Sequence, residues 1–242
     1  MLRVPNLTRM TLLRYYLIGL PAIPLLLAGS AVFDASQSAG SVTGRVSVME
    51  KGNKLADDLS DAVVWIEVSQ PDSLTPEVAT ITTSDKEFRP HVIVVPRGST
   101  VEFSNTDGFD HNVFSLTKGS VFDLGSYGRG ETRSTTFSRP GIVRVYCDVH
   151  SNMSAVVVVR DNPFYAQPSV DGSFAIDSVP PGTYTMHAWH ERAKEPVSLT
   201  VEITARGLRG IDLELDAREY EFVQHLNKFG RPYSTARRGR RY

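Results

Sequence analysis

The sequence contains one cysteine, Cys147, among 242 residues. An intramolecular disulfide is therefore excluded, and so is every site that needs two or more thiolates, such as an iron–sulfur cluster, a cysteine-rich zinc site or a dinuclear copper centre. Net charge is also small, because 26 Lys+Arg stand against 27 Asp+Glu, so we expect no nucleic-acid partner. Hydrophobic residues make up 41% of the chain, enough for a packed core, which excludes a disordered or collagen-like protein.

Acidic residues are absent from the first 33 positions. Three arginines there precede an uncharged stretch, residues 15–33, which ends in small side chains around Ala28 and Ala31. This order is typical of a secretory signal peptide, so we expect residues 1–31 to be removed and the mature protein to be periplasmic or secreted. The alternative is a membrane anchor that is not cleaved, because 19 uncharged residues are almost enough to span a bilayer.

Short runs rich in β-branched residues fill the chain beyond residue 40. Examples are Val42–Val48, Ala62–Val68 and Ala155–Arg160, and glycine or proline turns such as Pro140-Gly141 separate the runs. This pattern predicts an all-β protein that is built from small β-sandwiches.

The C-terminal region, residues 217–242, has a different pattern. Apolar side chains recur at roughly helical spacing within Ala217–Lys228, which predicts a short helix. No acidic residue follows Glu221, and the tail contains Lys228, Arg231, Arg237, Arg238, Arg240 and Arg241. We interpret this tail as a solvated basic run; contact with an acidic partner or with anionic lipid is the alternative.

A thiol, an imidazole and a thioether occur together in one short segment. Cys147, His150 and Met153 have the spacing C-x2-H-x2-M between two predicted strands, and His111 follows another predicted strand. Two histidines, one cysteine and a weak axial methionine form the ligand set of a mononuclear blue-copper site. The sequence therefore predicts one copper ion bound by these four residues. Zinc is the alternative metal, because one cysteine and two histidines also bind zinc.

Motifs around these four residues extend the pattern. Phe88–Gly98 reads F-x-P-x4-V-x2-G, Val101–Asp107 precedes the first histidine, and Pro140-Gly141 precedes the cysteine strand. With these motifs, residues 77–160 resemble the cupredoxins, the plastocyanin-like blue-copper domains, and the ligand spacing resembles that of amicyanin.

The resemblance implies a Greek-key sandwich with a single copper ion. It implies that His111, Cys147 and His150 are equatorial ligands and that Met153 is the axial ligand. It further implies that Asn112 braces the ligand region and that the ring of His150 is the electron port.

A second motif follows the cupredoxin-like region. Asp171–Met186 contains G-x-F-x-I-x2-V-P-P-G-x-Y and resembles the carboxypeptidase-regulatory-like β-sandwich domains, whose opening strands would lie far upstream. We therefore expect a split sandwich, 40–68 plus 164–215, with the cupredoxin domain inserted into it or adjacent to it. This layout resembles that of methylamine-utilisation-type proteins, which implies a redox enzyme as partner.

The function that we predict is one-electron transfer by an exported blue-copper protein, with an unidentified redox partner protein. A copper-binding or storage module and a cell-envelope interaction protein are the alternatives. Tyr146 and Asp148 flank Cys147 in place of the histidines that connect a second copper site in multicopper oxidases, so we predict neither an enzyme nor a small-molecule substrate. His187 and His190 stand three apart in a predicted strand and face opposite sides, so we interpret them as structural.

Overall fold

The computed structural model describes residues 39–69 and 74–233. Its regular secondary structure is entirely β, as the sequence predicted, and the described residues include no helix that is long and apolar enough to cross a membrane. The predicted signal peptide, 1–31, and the last four arginines of the basic tail lie outside these residues.

The strands of the described residues are β1 (Gly40–Glu50), β2 (Lys54–Leu55), β3 (Val63–Glu67), β4 (Val78–Ser84), β5 (Glu87–Arg89), β6 (Val92–Pro96), β7 (Thr100–Asn105), β8 (His111–Ser115), β9 (Phe122–Tyr127), β10 (Thr132–Thr136), β11 (Gly141–Tyr146), β12 (Ser154–Arg160), β13 (Tyr165–Ala166), β14 (Ser173–Val179), β15 (Gly182–Trp189), β16 (Val197–Ile203) and β17 (Leu208–Ala217).

Strands β4 to β12 form two sheets, with the orders β10-β7-β4-β5 and β6-β12-β11-β8-β9. We call this pair the central sandwich. Its core contains alternate side chains of several strands, among them Val101 and Phe103 of β7 and Val143 and Val145 of β11. Cys147 and Met153 belong to the same buried cluster, so the predicted ligands lie at one end of this core.

The remaining strands form a second pair of sheets, which we call the outer sandwich. The first has the order β14-β1-β17 with β2 paired to β1, and the second has the order β13-β3-β15-β16. Strand β1 pairs antiparallel with β14 and parallel with β17, where Val48 lies opposite Leu215. Segments before and after the central sandwich therefore share both outer sheets. The domain boundaries predicted from the sequence remain a prediction.

Strand β12 explains how the two sandwiches meet. Its run of valines is buried on both faces: Val157 packs in the central core, whereas Val156 and Val158 pack with Val63 and Trp189 of the outer sandwich. A strand covered on both faces needs an uninterrupted apolar run rather than alternation. The ligand loop that precedes β12 is consequently attached to one of the most buried strands of the protein.

The helix predicted over Ala217–Lys228 does not form. Ala217 is the last residue of β17, where it pairs with Glu50, and residues 218–233 have no regular structure beyond turns. A short helix is stabilised mainly by burial of an apolar face, but Val223 is 80% exposed and Phe222 is 59% exposed. The segment instead contacts Tyr146 and the backbone of His150 in the central sandwich. We call residues 218–233 the C-terminal strap.

Candidate metal centre

The ligand loop, residues 147–153, joins β11 to β12. Tyr146 and Ser154 pair across the two strands, the N–H of Cys147 donates to the carbonyl of Met153 at 3.1 Å, and the N–H of Met153 donates to the carbonyl of His150 at 3.1 Å. These bonds close the loop on itself. Cys147 and Met153 are buried, and the ring of His150 is partly exposed.

His111 reaches the same point from the neighbouring strand. It is the first residue of β8, which lies beside β11 through the pairing of Phe114 with Tyr146. The Nδ1 atom of His111 is 3.6 Å from Cys147 Sγ, and the Nδ1 atom of His150 is 3.8 Å from it. Within residues 39–69 and 74–233, these three residues are the one group of three or more His, Cys, Asp or Glu side chains whose ligand atoms lie close enough to hold a metal ion, all within 4.8 Å of one another.

Asp107 determines how the His111 ring is presented. Its Oδ2 accepts a hydrogen bond from His111 Nε2 at 2.8 Å, and its carboxylate also accepts the backbone N–H groups of Asp85 and Lys86. Burial raises the pKa of Asp107, but these hydrogen bonds outweigh it and hold the pKa below the usual value. A carboxylate on Nε2–H leaves the lone pair on Nδ1, which is the atom that faces Cys147.

The protonation of the other two groups favours a metal cation. Burial and the nearby His111 lower the pKa of His150, so its imidazole is neutral at pH 7 and can act as a ligand. Burial raises the pKa of the Cys147 thiol, which the backbone N–H groups of Asn112, Val149 and His150 partly offset. A thiolate at this position therefore needs a positive charge beside it, and a bound metal ion supplies one.

Asn112 connects the centre to more distant groups. Its backbone N–H points towards the Cys147 sulfur, and its side-chain Nδ2 donates to Asp123 Oδ1 at 2.6 Å. The other oxygen of Asp123 accepts from Lys228 Nζ at 2.8 Å. The resemblance implied the bracing position of Asn112; the contributions of Asp107, Asp123 and Lys228 were not predicted. Only the position of Asp107, four residues before His111 at the end of a strand, offered a signal.

Apolar side chains surround the exposed edge of His150. The ring of Phe109 lies 5.4 Å from that of His150 and 5.1 Å from that of His111, and Phe109 remains 41% exposed. Val149 is also exposed, and Lys86 Nζ lies 5.5 Å from the centre of the Phe109 ring. The partly exposed ring of His150 therefore lies beside apolar side chains and one positive charge.

The donor set fits a bound copper ion. A metal about 2.3 Å from sulfur and about 2.0 Å from nitrogen, at angles of about 110–120°, separates the two donor atoms by about 3.6–3.8 Å. Cys147 Sγ lies 3.6 Å and 3.8 Å from the Nδ1 atoms of His111 and His150, which are these separations. Soft thiolate sulfur with two imidazoles is the combination used by copper electron-transfer centres.

His187 and His190 are not part of a metal group among the described residues. His187 stacks on Trp65 with ring centroids 5.0 Å apart, and its two nitrogens contact Ser198 Oγ and Glu67 Oε2. His190 is buried just beyond β15, where its Nδ1 accepts the N–H of Arg192.

Comparisons with known proteins agree with this chemistry. The family model for copper-binding proteins of the plastocyanin/azurin family matches residues 77–160. Plastocyanin from Ulva arasakii is 36% identical over 73 residues, which cover 26% of this chain and 74% of that protein.

Solved structures give further similarities. A purple cupredoxin from Nitrosopumilus maritimus has 24% identity and a TM-score of 0.31, over 34% of this chain and 99% of that one. A copper-containing nitrite reductase from Thermus scotoductus SA-01 has 28% identity and a TM-score of 0.34, over 38% of this chain and only 25% of that one.

Proposed function

Because the chain belongs, through residues 77–160, to the plastocyanin/azurin family of copper-binding proteins, we propose that it is an exported mononuclear blue-copper protein that carries one electron at a time. The observation that carries the proposal is the convergence of one thiol and two imidazole Nδ1 atoms on a single buried point. Cupredoxin domains generally serve as electron carriers, and nothing in this donor set requires a different use.

In this proposal Cys147, His111, His150 and Met153 would hold the copper ion, with Met153 as the weakest of the four ligands. When bound, copper would supply one-electron chemistry. The protein keeps the donors in place during electron transfer, because Asp107 holds the His111 ring and two backbone hydrogen bonds close the ligand loop. Donors that need to move little make the transfer fast, since less of the structure has to reorganise.

His150 is the proposed exit for the electron. Its ring is the partly exposed member of the ligand group, and Phe109 and Val149 give a redox partner protein an apolar surface on which to dock. Tyr146 and Asp148 flank Cys147, so the chain lacks the adjacent histidines that would connect a second copper site. We therefore favour an electron carrier over an enzyme.

We also infer how the rest of the chain is organised. The pairing of β1 with β14 and β17 supports a split domain, 40–68 plus 164–215, of carboxypeptidase-regulatory-like type around the copper domain. The basic, then apolar, N-terminal sequence supports export to the periplasm or beyond, with a membrane anchor as the alternative.

A copper titration followed by visible absorption tests the function. Wild type and Cys147→Ser, which replaces one sulfur by oxygen, are titrated with Cu(II) and then with a reductant. We expect an intense thiolate-to-copper charge-transfer band in wild type, bleached reversibly by the reductant, and no such band in the variant. Binding of zinc but not of copper would contradict a copper site. A band that cannot be cycled, or Cu(I) that is stable in air, would favour copper storage over electron transfer.

A further inference from the structure

The C-terminal strap lies directly on the ligand loop. Its polar groups contact five of the seven loop residues. Gln224 Nε2 donates to Ser151 Oγ and Asn152 Oδ1, and His225 Nε2 faces the carbonyl of His150. The N–H of Lys228 donates to Asp148 Oδ1, and the hydroxyl of Tyr233 donates to the carbonyl of Cys147. Two of these five are residues whose side chains belong to the metal group.

We propose that the strap is a positioning element of the metal centre, which holds the loop in its ligand-binding conformation through His225 and Tyr233. The inference rests on the proposed copper function, but it concerns a different part of the chain. It assigns a role to a segment far along the chain from the loop it contacts, since the nearest hydrogen-bonded pair, Asn152 and Gln224, is separated by 72 positions.

The ring of His225 packs against two aromatic rings, those of Tyr146 and Tyr233. It stacks on that of Tyr146, with centroids 4.4 Å apart and an angle of 23°, and meets the ring of Tyr233 edge-on at 5.4 Å. From this fixed position its Nε2 lies 3.3 Å from the carbonyl oxygen of His150. The residue before Cys147 and the backbone of His150 are thereby linked through one side chain.

Tyr233 forms a hydrogen bond with the backbone of Cys147. Its hydroxyl donates to the carbonyl of Cys147 at 2.9 Å, and burial raises the pKa of Tyr233, so the hydroxyl keeps its proton at neutral pH. Groups that hydrogen-bond to the residues around a metal orient the ligands and tune the metal, and their loss commonly costs about 10–100-fold in affinity or activity.

Lys228 connects the strap to the surroundings of the Cys147 sulfur through a second set of hydrogen bonds. Its N–H donates to Asp148 at 3.0 Å and its ammonium group pairs with Asp123 at 2.8 Å. Asp123 in turn accepts from the side chain of Asn112, whose backbone N–H points at Cys147 Sγ. The strap therefore acts on both sides of the thiolate, through the loop and through β8.

Hydrophobic burial does not explain why the strap lies where it does. Phe222 and Val223 are exposed, and an open cleft of about 860 Å³ separates this stretch from Tyr146, Met153 and Glu191 below it. The strap is attached by its polar contacts with the loop, by the stacked His225 ring and by the ion pairs Lys228–Asp123 and Glu219–Lys194. A segment held at both the loop and the neighbouring strands restrains the loop in return.

The test uses full-length single variants that preserve shape. Tyr233→Phe removes only the hydroxyl, and His225→Phe keeps an aromatic ring on Tyr146 but removes the ring nitrogen that faces the carbonyl of His150. Tyr184→Phe is the matched control, because it removes a hydroxyl that donates to the Pro180 carbonyl at 3.0 Å in the outer sandwich. Val223→Ala changes the strap at a position that is exposed to solvent.

Two readouts separate the inference from the proposed function. In the metal-free protein, amide hydrogen exchange across residues 147–153 should be about fivefold faster in Tyr233→Phe and in His225→Phe, the factor that corresponds to about 1 kcal/mol for one net hydrogen bond. In the copper-loaded protein, both variants should shift the charge-transfer band and bind Cu(II) about fivefold or more weakly, while both controls keep the wild-type values.

The outcomes are distinguishable. Wild-type exchange and affinity in both Tyr233→Phe and His225→Phe, with the band unmoved, would overturn the positioning role. A lower free energy of unfolding in these variants with an unchanged spectrum would also overturn it, because the strap would then be only structural. Absence of the band in wild type would instead refute the copper function, and the exchange measurement on the metal-free protein would still decide whether the strap holds the loop.

Discussion

The central and outer sandwiches each hold a histidine that is paired with a carboxylate, and the two pairs differ in everything around them. His111 is fully buried, its Nε2 meets Asp107 at 2.8 Å, and its Nδ1 faces a thiol. His187 lies on β15, an inner strand of the outer sandwich, its Nε2 is 3.3 Å from Glu67, and its Nδ1 faces the hydroxyl of Ser198. One ring directs the lone pair of its Nδ1 at a thiol, and the other contacts only oxygen atoms through its two nitrogens.

The difference shows what distinguishes the proposed metal centre from an ordinary histidine pair. Burial of a polar ring costs free energy unless its groups are satisfied, and in the central sandwich the Nδ1 atom of His111 faces the sulfur of Cys147 at 3.6 Å. The outer sandwich satisfies His187 with a hydroxyl, a carboxylate and the face of Trp65. In the proposed function a cation binds in the first arrangement, and we expect none in the second.

Replacement of His111 and of His187 by alanine should give the largest difference in copper binding between the two sandwiches. His111→Ala should weaken Cu(II) binding by more than about 100-fold, beyond the loss typical of groups that only support a ligand, and should abolish the charge-transfer band. His187→Ala should leave both unchanged. Isothermal titration with Cu(II) and visible absorption measure the two effects. Equal losses in the two variants would show that His111 has no special part in the centre.

A truncation in the outer core should separate stability from metal chemistry. Leu215 is fully buried on β17, opposite Val48, so Leu215→Ala should lower the free energy of unfolding by about 2–5 kcal/mol through the lost contacts and the cavity left behind. Guanidinium unfolding measures this change. The copper band of the folded variant should keep the wild-type energy; a displaced band would mean that packing of the outer sandwich reaches the metal centre.

The sequence was sufficient where local pattern decides the outcome. Runs of β-branched side chains such as Ala155–Arg160 favour strands, and the spacing of Cys147, His150 and Met153 places them in one short loop between two strands. The structure brings the first two together with His111; the ligand assignment itself, with Met153 as its fourth member, stays a prediction.

The sequence was insufficient where contacts between distant segments decide. The apolar spacing within Ala217–Lys228 predicted a helix, but β17 continues through Ala217 and the following residues bind polar atoms of a loop far upstream. No periodicity encodes that Lys228 meets Asp148 or that Tyr233 meets Cys147. Such pairs depend on where the chain returns after completing the outer sandwich, which local propensity does not determine.

The buried His190 of the outer sandwich should make the free energy of unfolding depend on pH. Burial, with a contribution from Arg192, lowers the pKa of His190 to about 4, well below the value near 6.5 of an unfolded chain. The stabilisation that comes from keeping His190 neutral is therefore complete above pH 6.5 and is lost as the pH falls towards 4, because the unfolded chain then binds the extra proton.

The magnitude of the His190 effect can be isolated with one substitution. Between pH 7.5 and 4.5, wild type should lose about 2–3 kcal/mol more of its unfolding free energy than His190→Asn, whose amide oxygen can still accept the N–H of Arg192. Urea unfolding of the metal-free proteins at both pH values measures the difference. Parallel losses in the two proteins would show that His190 does not contribute to the pH dependence.

The smallest expected effect concerns Asp107 and Glu67, the carboxylates that contact His111 and His187. The two carboxylate oxygens of Asp107 accept three N–H groups, those of Asp85, Lys86 and the His111 ring. Asp107→Asn replaces one of these oxygens by an N–H₂ group, which cannot accept, so the His111 ring loses its fixed orientation. We expect Cu(II) binding to weaken about tenfold, at the lower end of the range for groups that orient a metal ligand, and the charge-transfer band to shift. Glu67→Gln makes the same change beside His187 and should alter neither quantity. If both variants bind copper as wild type does, the Asp107 contact is an ordinary surface-loop hydrogen bond, and what distinguishes the two histidines is the position of the thiol alone.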